Sequence, residues 1–186
     1  MRTFLAAIFD PPVFEPVLRA RDALKGRAGG GFQWTRAEQA HLTLRFLGEI
    51  PDESAGPMGE VIAAAVAGLK PFPLHISVFG AFPEPAKART VWLGMEDPQG
   101  GLPALLAALN AALAPFPVRW EEKRAFVPHL TLGRHQGLGT DLTQALLGTP
   151  KPHPSEHLLA GVCLFRSDRG PAGTRHTRLA EALLQG

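Results

Sequence analysis

A tetrapeptide that occurs twice, His41-Leu42-Thr43-Leu44 and His129-Leu130-Thr131-Leu132, constrains this chain more than any other feature. Polar and apolar residues alternate within each copy, and successive side chains of a β-strand point to opposite faces of the sheet. We therefore expect each copy to lie on a half-buried strand with its leucines in the core. The histidine and the threonine of each copy then share the opposite face.

The spacing of the elements around the tetrapeptides also repeats. An apolar strand predicted at residues 3–9 is followed by a helical pattern and then by His41, and a strand predicted at 90–95 is followed in the same way by His129. His41 lies 37 positions after Phe4, and His129 lies 38 positions after Val91. A divergent internal repeat of this kind predicts two similar lobes related by a pseudo-two-fold axis, with the tetrapeptides facing each other across a groove.

The rest of the chain shows alternating helical and strand patterns. His75 is expected to be a half-exposed strand residue, and the single cysteine, Cys163, a buried one. The charged segment 121–124 is interpreted as a solvated loop. Helical patterns cover residues 14–24, 51–69, 102–113 and 141–147, and strand patterns cover 74–82, 158–167 and 175–179.

The composition is that of a folded protein. A chain of 186 residues, 45% hydrophobic and 19% charged, is expected to form a single domain over residues 1–186. No apolar run approaches the roughly 18 residues of a membrane-spanning helix, and we expect no signal peptide, so the cytoplasm is the predicted location. The net charge of +2 does not by itself indicate a polyanionic partner, although arginine outnumbers lysine by 14 to 5.

Paired histidines suit acid-base chemistry. An imidazole has an ordinary pKa of about 6.5, so one ring can take a proton while the other gives one near neutral pH. Displacement at phosphorus needs both steps, and the hydroxyls of Thr43 and Thr131 are candidates to bind the phosphate oxygens. The candidate cations are Arg45, which shares the parity of His41, and Arg134, which has the opposite parity from His129 and needs a bulge or the end of the strand to reach inward.

Other chemistries find less support in the sequence. Phe46 has the parity of Leu44, so we expect it to pack in the core rather than to stack on a base. No carboxylate lies beside either tetrapeptide, and a proline and a serine separate His153 from His157, so we expect no catalytic metal. The sequence also lacks the glycine-rich loop of nucleoside triphosphate sites and the Gly-x-Ser-x-Gly turn of hydrolases.

The tandem tetrapeptides resemble those of the two-histidine phosphoesterase superfamily, and within it the chain is similar to the bacterial RNA 2′,3′-cyclic phosphodiesterases, also called 2′-5′ RNA ligases. The likeness covers nearly the whole chain. One departure is His176, where that family usually has tyrosine, and we expect this change to affect only a peripheral contact. The matching positions are Phe4, Ala6, Trp34, residues 41–48, residues 91–94, Phe126, residues 128–132, Arg134, Ser167 and Gly173.

The resemblance implies a bilobal α+β fold, with two pseudo-symmetric lobes of antiparallel sheet facing a central cleft and helices outside. It implies metal-independent, cofactor-free opening of an RNA-terminal 2′,3′-cyclic phosphate to a 2′-phosphate by a monomer, with possible reverse 2′-5′ RNA ligation. His129 would then be the proton acceptor and His41 the proton donor, with Thr43, Thr131 and Arg134 holding the phosphate. The pseudo-symmetry leaves the opposite order of the histidines open.

Two other functions remain open from the sequence. One is a phosphodiesterase that acts on another small cyclic phosphate or nucleotide, because loops decide base and chain-length preference. The other is a noncatalytic module that binds RNA ends, which would keep the cleft and the phosphate contacts but not turn over substrate.

Overall fold

A computed structural model describes residues 1–10, 12–36, 39–118, 125–170 and 173–186. The predicted loop at 121–124 lies outside these ranges. Within them, eight strands and four α-helices are present. The strands are β1 (Arg2–Asp10), β2 (Phe32–Trp34), β3 (Thr43–Glu49), β4 (Phe72–Phe82), β5 (Thr90–Glu96), β6 (His129–His135), β7 (Glu156–Gly170) and β8 (Gly173–Leu183). The helices are α1 (Phe14–Lys25), α2 (Ala55–Val66), α3 (Gly101–Leu113) and α4 (Thr143–Gly148).

One antiparallel sheet contains all eight strands. Its order is β2-β6-β5-β4-β7-β1-β3, and β8 pairs with β7 beside this path. The 15-residue strand β7 joins two halves: residues 156–159 pair with β4, residues 158–166 pair with β1, and residues 161–170 pair with β8. The first half is therefore β3-β1-β7-β8 and the second is β4-β5-β6-β2. This arrangement confirms the predicted bilobal α+β fold.

The two tetrapeptides carry the same irregularity. Ala6 pairs with Thr43 and Leu5 with Arg45, so Leu44 is an extra, bulged residue of β3. In the second half, β5 and β6 shift register in the same way, and Leu132 is the extra residue there. Because side chains alternate along a strand, one inserted residue reverses the face taken by every side chain that follows it.

The core lies beneath the tetrapeptides. All four of their leucines are at most 1% exposed. The apolar stripe of α3 packs into the same core, and Asp97 caps the start of this helix by accepting hydrogen bonds from the backbone N–H of Gly101 at 3.1 Å and of Leu102 at 2.7 Å. Neither α1, α2, α3 nor α4 is long and apolar enough to cross a membrane, nor is any other helix in the described ranges.

Two smaller expectations are confirmed. Cys163 is 1% exposed, and burial raises the pKa of its thiol to about 11, so the thiol is neutral. The His75 side chain is 42% exposed, and its Nε2 lies 3.1 Å from Glu156 Oε2. Neither residue belongs to the site described next.

Candidate active site

A single β-bridge between Leu42 and Leu130 joins the two tetrapeptides. The bridge is antiparallel, so the residue before Leu42 lies beside the residue after Leu130, and the converse also holds. His41 therefore neighbours Thr131, and Thr43 neighbours His129. The two copies meet about a local pseudo-two-fold axis through the buried leucines, as the repeat predicted.

Both histidines are held by the same hydrogen bond. His41 Nδ1 lies 2.7 Å from the Gln39 carbonyl oxygen, and His129 Nδ1 lies 2.7 Å from the Val127 carbonyl oxygen. A carbonyl oxygen only accepts, so each Nδ1 carries the hydrogen and donates it. Nε2 is then the basic nitrogen of each neutral ring, and each ring is fixed in the tautomer that proton transfer through Nε2 requires.

Burial lowers the pKa of both imidazoles. It lowers the pKa of His41 to about 4, against the opposing effect of the Gln39 carbonyl, and the nearby His176, Arg134 and His129 lower this pKa further. Burial also lowers the pKa of His129, again against its carbonyl partner, and Arg134 adds to this effect. Both rings are thus neutral near pH 7 in the free protein. A bound anion would favour their protonated forms.

A cavity of about 420 Å³ opens beside the bridge. This volume is in the usual range of small-ligand pockets. Of the six residues predicted for the site, the cavity is lined by three: His41, Thr131 and Arg134. Thr43 and His129 are not among its lining residues. His129 lies at the margin, where its ring packs 5.0 Å from that of Phe82 and 5.9 Å from that of Trp92, measured between centroids.

The bulge at Leu132 explains how Arg134 reaches this cavity. Without the inserted residue, Arg134 would point away from Thr131; with it, the guanidinium turns inward, as the sequence analysis required. Its Nη1 donates a hydrogen bond to Thr90 Oγ1 at 3.2 Å. Partial burial and the neighbouring Arg2 lower the pKa of the guanidinium, so the group lies in a positively charged environment.

The equivalent bulge at Leu44 overturns two expectations. Arg45 does not face the cavity with His41: it is 8% exposed, its Nε donates to Asn110 Oδ1 at 3.0 Å, and its guanidinium carbon lies 5.9 Å from the Phe126 ring centroid. Phe46 does not pack in the core: it is 57% exposed and lines the cavity. Both errors arise because strict alternation was assumed through Leu44.

His176 lies closer to the chemistry than predicted. Its ring is perpendicular to that of His41, at an angle of 83° and a centroid distance of 5.2 Å, and also contacts Phe4 at 4.9 Å. Burial lowers the pKa of His176. Its Nδ1 is buried, with no hydrogen-bond partner among the residues that the structure describes. The change from the tyrosine usual in the resembling family therefore touches His41 directly.

The sequence analysis gave no role to several residues of the cavity wall. Arg2, Gln33, Arg36, Arg169 and Thr174 all line the cavity but belong to no repeated pattern. They come from β1, from β2 and the segment after it, and from the β7–β8 hairpin. The arginine excess was a signal for three of them, but it does not show which arginines lie together.

Comparison with known proteins decides the family. The sequence profile of the 2′-5′ RNA ligase superfamily matches residues 9–171. The chain belongs to the 2′-5′ RNA ligase superfamily. Two members of similar length are named RNA 2′,3′-cyclic phosphodiesterase. That of Thermotoga maritima is 34% identical over 186 residues, covering 100% of this chain and 97% of that protein. That of Methanothermobacter thermautotrophicus is 32% identical over 179 residues, covering 95% of each chain.

Solved structures of this 2′-5′ RNA ligase superfamily fold agree with the architecture. A Thermus thermophilus protein, TT0787, superposes with a TM-score of 0.78 at 25% identity, covering 100% of this chain and 99% of that one. E. coli LigT complexed with 3′-AMP gives the same TM-score at 24% identity, covering 100% and 98%. The bilobal fold of this chain therefore matches the two solved structures along its whole length.

Proposed function

We propose that this protein hydrolyses RNA-terminal 2′,3′-cyclic phosphates to 2′-phosphates without a metal ion. The observation that carries the proposal is the pair of imidazoles, held by identical Nδ1 hydrogen bonds on either side of one β-bridge. Two bases in the same tautomer beside an arginine-lined cavity suit a displacement at phosphorus. The names of the relatives at 32% and 34% identity support the same reaction.

In the proposed reaction, His129 Nε2 takes a proton from water as the water oxygen attacks phosphorus. The bond between phosphorus and the 3′ oxygen breaks, and protonated His41 gives its proton to that oxygen. The product carries a 2′-phosphate and a 3′-hydroxyl. Thr43, Thr131 and Arg134 donate to the nonbridging oxygens, where negative charge increases in the transition state. A 5′-hydroxyl in place of water would give a 2′-5′ linkage.

This order requires the substrate to help protonate His41, whose pKa is about 4 in the free protein. An anionic phosphate beside the ring raises that pKa, because it stabilises the imidazolium. Binding of the substrate thus favours the protonated form of His41, which is the form that acts as the acid. If the two histidines act in the opposite order, the bound phosphate raises the pKa of His129 for the same reason.

The pseudo-symmetry is broken where the substrate would lie. Phe4 pairs with Phe46 in the first half, and at the equivalent place in the second half Thr90 pairs with Arg134. One half thus presents an aromatic side chain and the other a guanidinium. We infer that Phe46 stacks on the terminal base while Arg134 binds the phosphate.

The test is to incubate the protein, in excess EDTA, with a short RNA that ends in a 2′,3′-cyclic phosphate, and to identify the new end group. We expect a 2′-phosphate, and we expect His41→Ala to slow its formation by about 10²- to 10⁴-fold. Activity restored only by a divalent ion, or seen only on small cyclic nucleotides, would contradict the proposal. Binding of the RNA end without turnover would instead indicate a noncatalytic module.

We propose further that the protein acts on RNA ends in the cytoplasm as a monomer. Its single cysteine is buried, which fits a compartment where disulfides are not used. Light scattering at micromolar concentration tests the oligomeric state, and a dimer would contradict this part.

A further inference from the structure

Four guanidinium groups line the cavity, from Arg2, Arg36, Arg134 and Arg169. No aspartate or glutamate is among the described residues that line it. Exposed arginines on one face are commonly only solvated, but these four come from four separate segments of the chain and converge on one cavity. Like charges held together without carboxylates repel one another, so the cavity suits a ligand with more than one negative charge.

A single phosphate bound beside the histidines would explain why Arg134 lines the cavity, but not why Arg169 lines it. Ser167 pairs with His176 in the β7–β8 hairpin, and His176 contacts His41, so this pair lies at the histidine end of the cavity. The next pair on the same face is Arg169 with Thr174. Two residues of strand advance about 7 Å, so the backbone of Arg169 lies about that much farther along the hairpin than the pair beside His41.

The acidic residue next to Arg169 in sequence forms its ion pair with another arginine. Asp168 points to the opposite face of β7, where its Oδ2 accepts a hydrogen bond from Arg166 Nε at 2.8 Å. Arg169 shares its face with Ser167 instead, and both line the cavity. The acid adjacent in sequence therefore does not neutralise Arg169.

Arg36 lines the cavity from another segment. The Gln39 N–H donates to the Arg36 carbonyl at 3.0 Å, and Gln39 Nε2 donates to the Thr174 carbonyl at 2.8 Å. Thr174 is also the cross-strand partner of Arg169. Both arginines thus come from backbone joined to Thr174, Arg169 by strand pairing and Arg36 through Gln39, whose carbonyl oxygen also holds His41.

We propose that Arg36 and Arg169 form a second phosphate subsite, which holds the phosphate on the 5′ oxygen of the nucleotide that bears the cyclic phosphate. This inference rests on the proposed function and deepens it. A ribose carries its 5′ oxygen on the side away from its 2′ and 3′ oxygens, so the two phosphates lie at opposite ends of one nucleotide. The protein then selects ends with a second phosphate over isolated nucleoside 2′,3′-cyclic phosphates.

Three substrates test the subsite: adenosine 2′,3′-cyclic phosphate, the same compound with a 5′-phosphate, and the dinucleotide ApA ending in a 2′,3′-cyclic phosphate. We expect the second and third to have kcat/KM about tenfold or more above the first, mainly through KM, because charge-assisted contacts are added away from the reacting atoms. The advantage should shrink as salt concentration rises. An advantage of the dinucleotide alone would show that a second nucleoside, not a phosphate, is recognised, and would overturn the proposal.

The variant Arg36→Ala/Arg169→Ala should bring the three kcat/KM values together. Arg175→Ala is the control for the loss of Arg169, because it also removes one positive charge from the hairpin but at a position that does not line the cavity, and it should keep the wild-type ratio. Equal turnover of all three substrates by the wild type, or a ratio that survives in the double variant, would overturn the subsite and leave the proposed function standing.

A binding measurement separates the two proposals if no substrate is turned over. Adenosine 2′,5′-bisphosphate should bind about tenfold more tightly than adenosine 2′-monophosphate by calorimetry, and the double variant should remove the difference. Equal binding of the two nucleotides to the wild type would overturn the subsite, whatever the activity.

Discussion

At the scale of single residues, the proposed mechanism requires the two histidines to act as one unit. We expect His41→Ala and His129→Ala each to lower kcat/KM by about 10²- to 10⁴-fold, since each removes a proton-transfer group. The double variant should lose much less than the product of the two, because either single change already disables the concerted transfer. Single-turnover kinetics on a cyclic-phosphate RNA measures this, with the exposed His75→Ala as control. Fully multiplicative losses would show that the rings act independently.

The lowered histidine pKa values fix the pH dependence. Activity needs one ring protonated and the other neutral, and in the free protein the pKa of each is below 6.5. Raising the pH above that range leaves both rings neutral, so kcat/KM, which reports the free protein, should be greatest on the acid side of pH 6.5 and fall towards alkali. The kcat profile should lie at higher pH, because bound phosphate raises both values. A flat profile from about pH 5 to about pH 9 would contradict a two-histidine mechanism.

At the scale of elements, the sequence predicts which strands and helices form but not how their faces turn. The alternation of the tetrapeptides placed His41, Thr43 and four buried leucines correctly, because local pattern decides them. The bulges at Leu44 and Leu132 are absent from that pattern, since a bulge is defined by register against a partner strand. The bulge at Leu132 turns Arg134 toward the cavity. The bulge at Leu44 turns Arg45 away from the cavity and exposes Phe46.

The cavity wall depends on contacts even more distant in sequence. Arg36 and Arg169 line one cavity, where Gln39 donates a hydrogen bond to the Thr174 carbonyl of β8, and no local pattern in the sequence encodes that contact. His176 could be noticed as a departure from the resembling family, yet only the folded position of β8 shows that its ring contacts those of Phe4 and His41. The faces of the tetrapeptide side chains were therefore predictable from the sequence, while the long-range contacts that form the cavity wall were not.

At the scale of the whole molecule, Arg45 links the two halves. It belongs to β3 of the first half, and it donates to Asn110 on α3, which follows β5 of the second half. We expect Asn110→Ala to lower the free energy of unfolding by about 1–3 kcal/mol, because a buried guanidinium loses an acceptor. Asn110→Asp keeps an acceptor and should lose less. Urea unfolding measures both, and equal losses would show that the hydrogen bond does not matter.

The shared strand β7 limits how the two halves can move, and we expect this limit to affect how a substrate enters and leaves the cavity. Closing one half onto the other by a hinge would break ladder hydrogen bonds that β7 makes with β1 or with β4. The two histidines should therefore keep one separation throughout the catalytic cycle, in a receptacle shaped before the RNA arrives. Turnover would then be insensitive to solvent viscosity up to the encounter limit. We expect an RNA end to enter and leave the cavity at a rate set by diffusion and charge rather than by the movement of one half against the other.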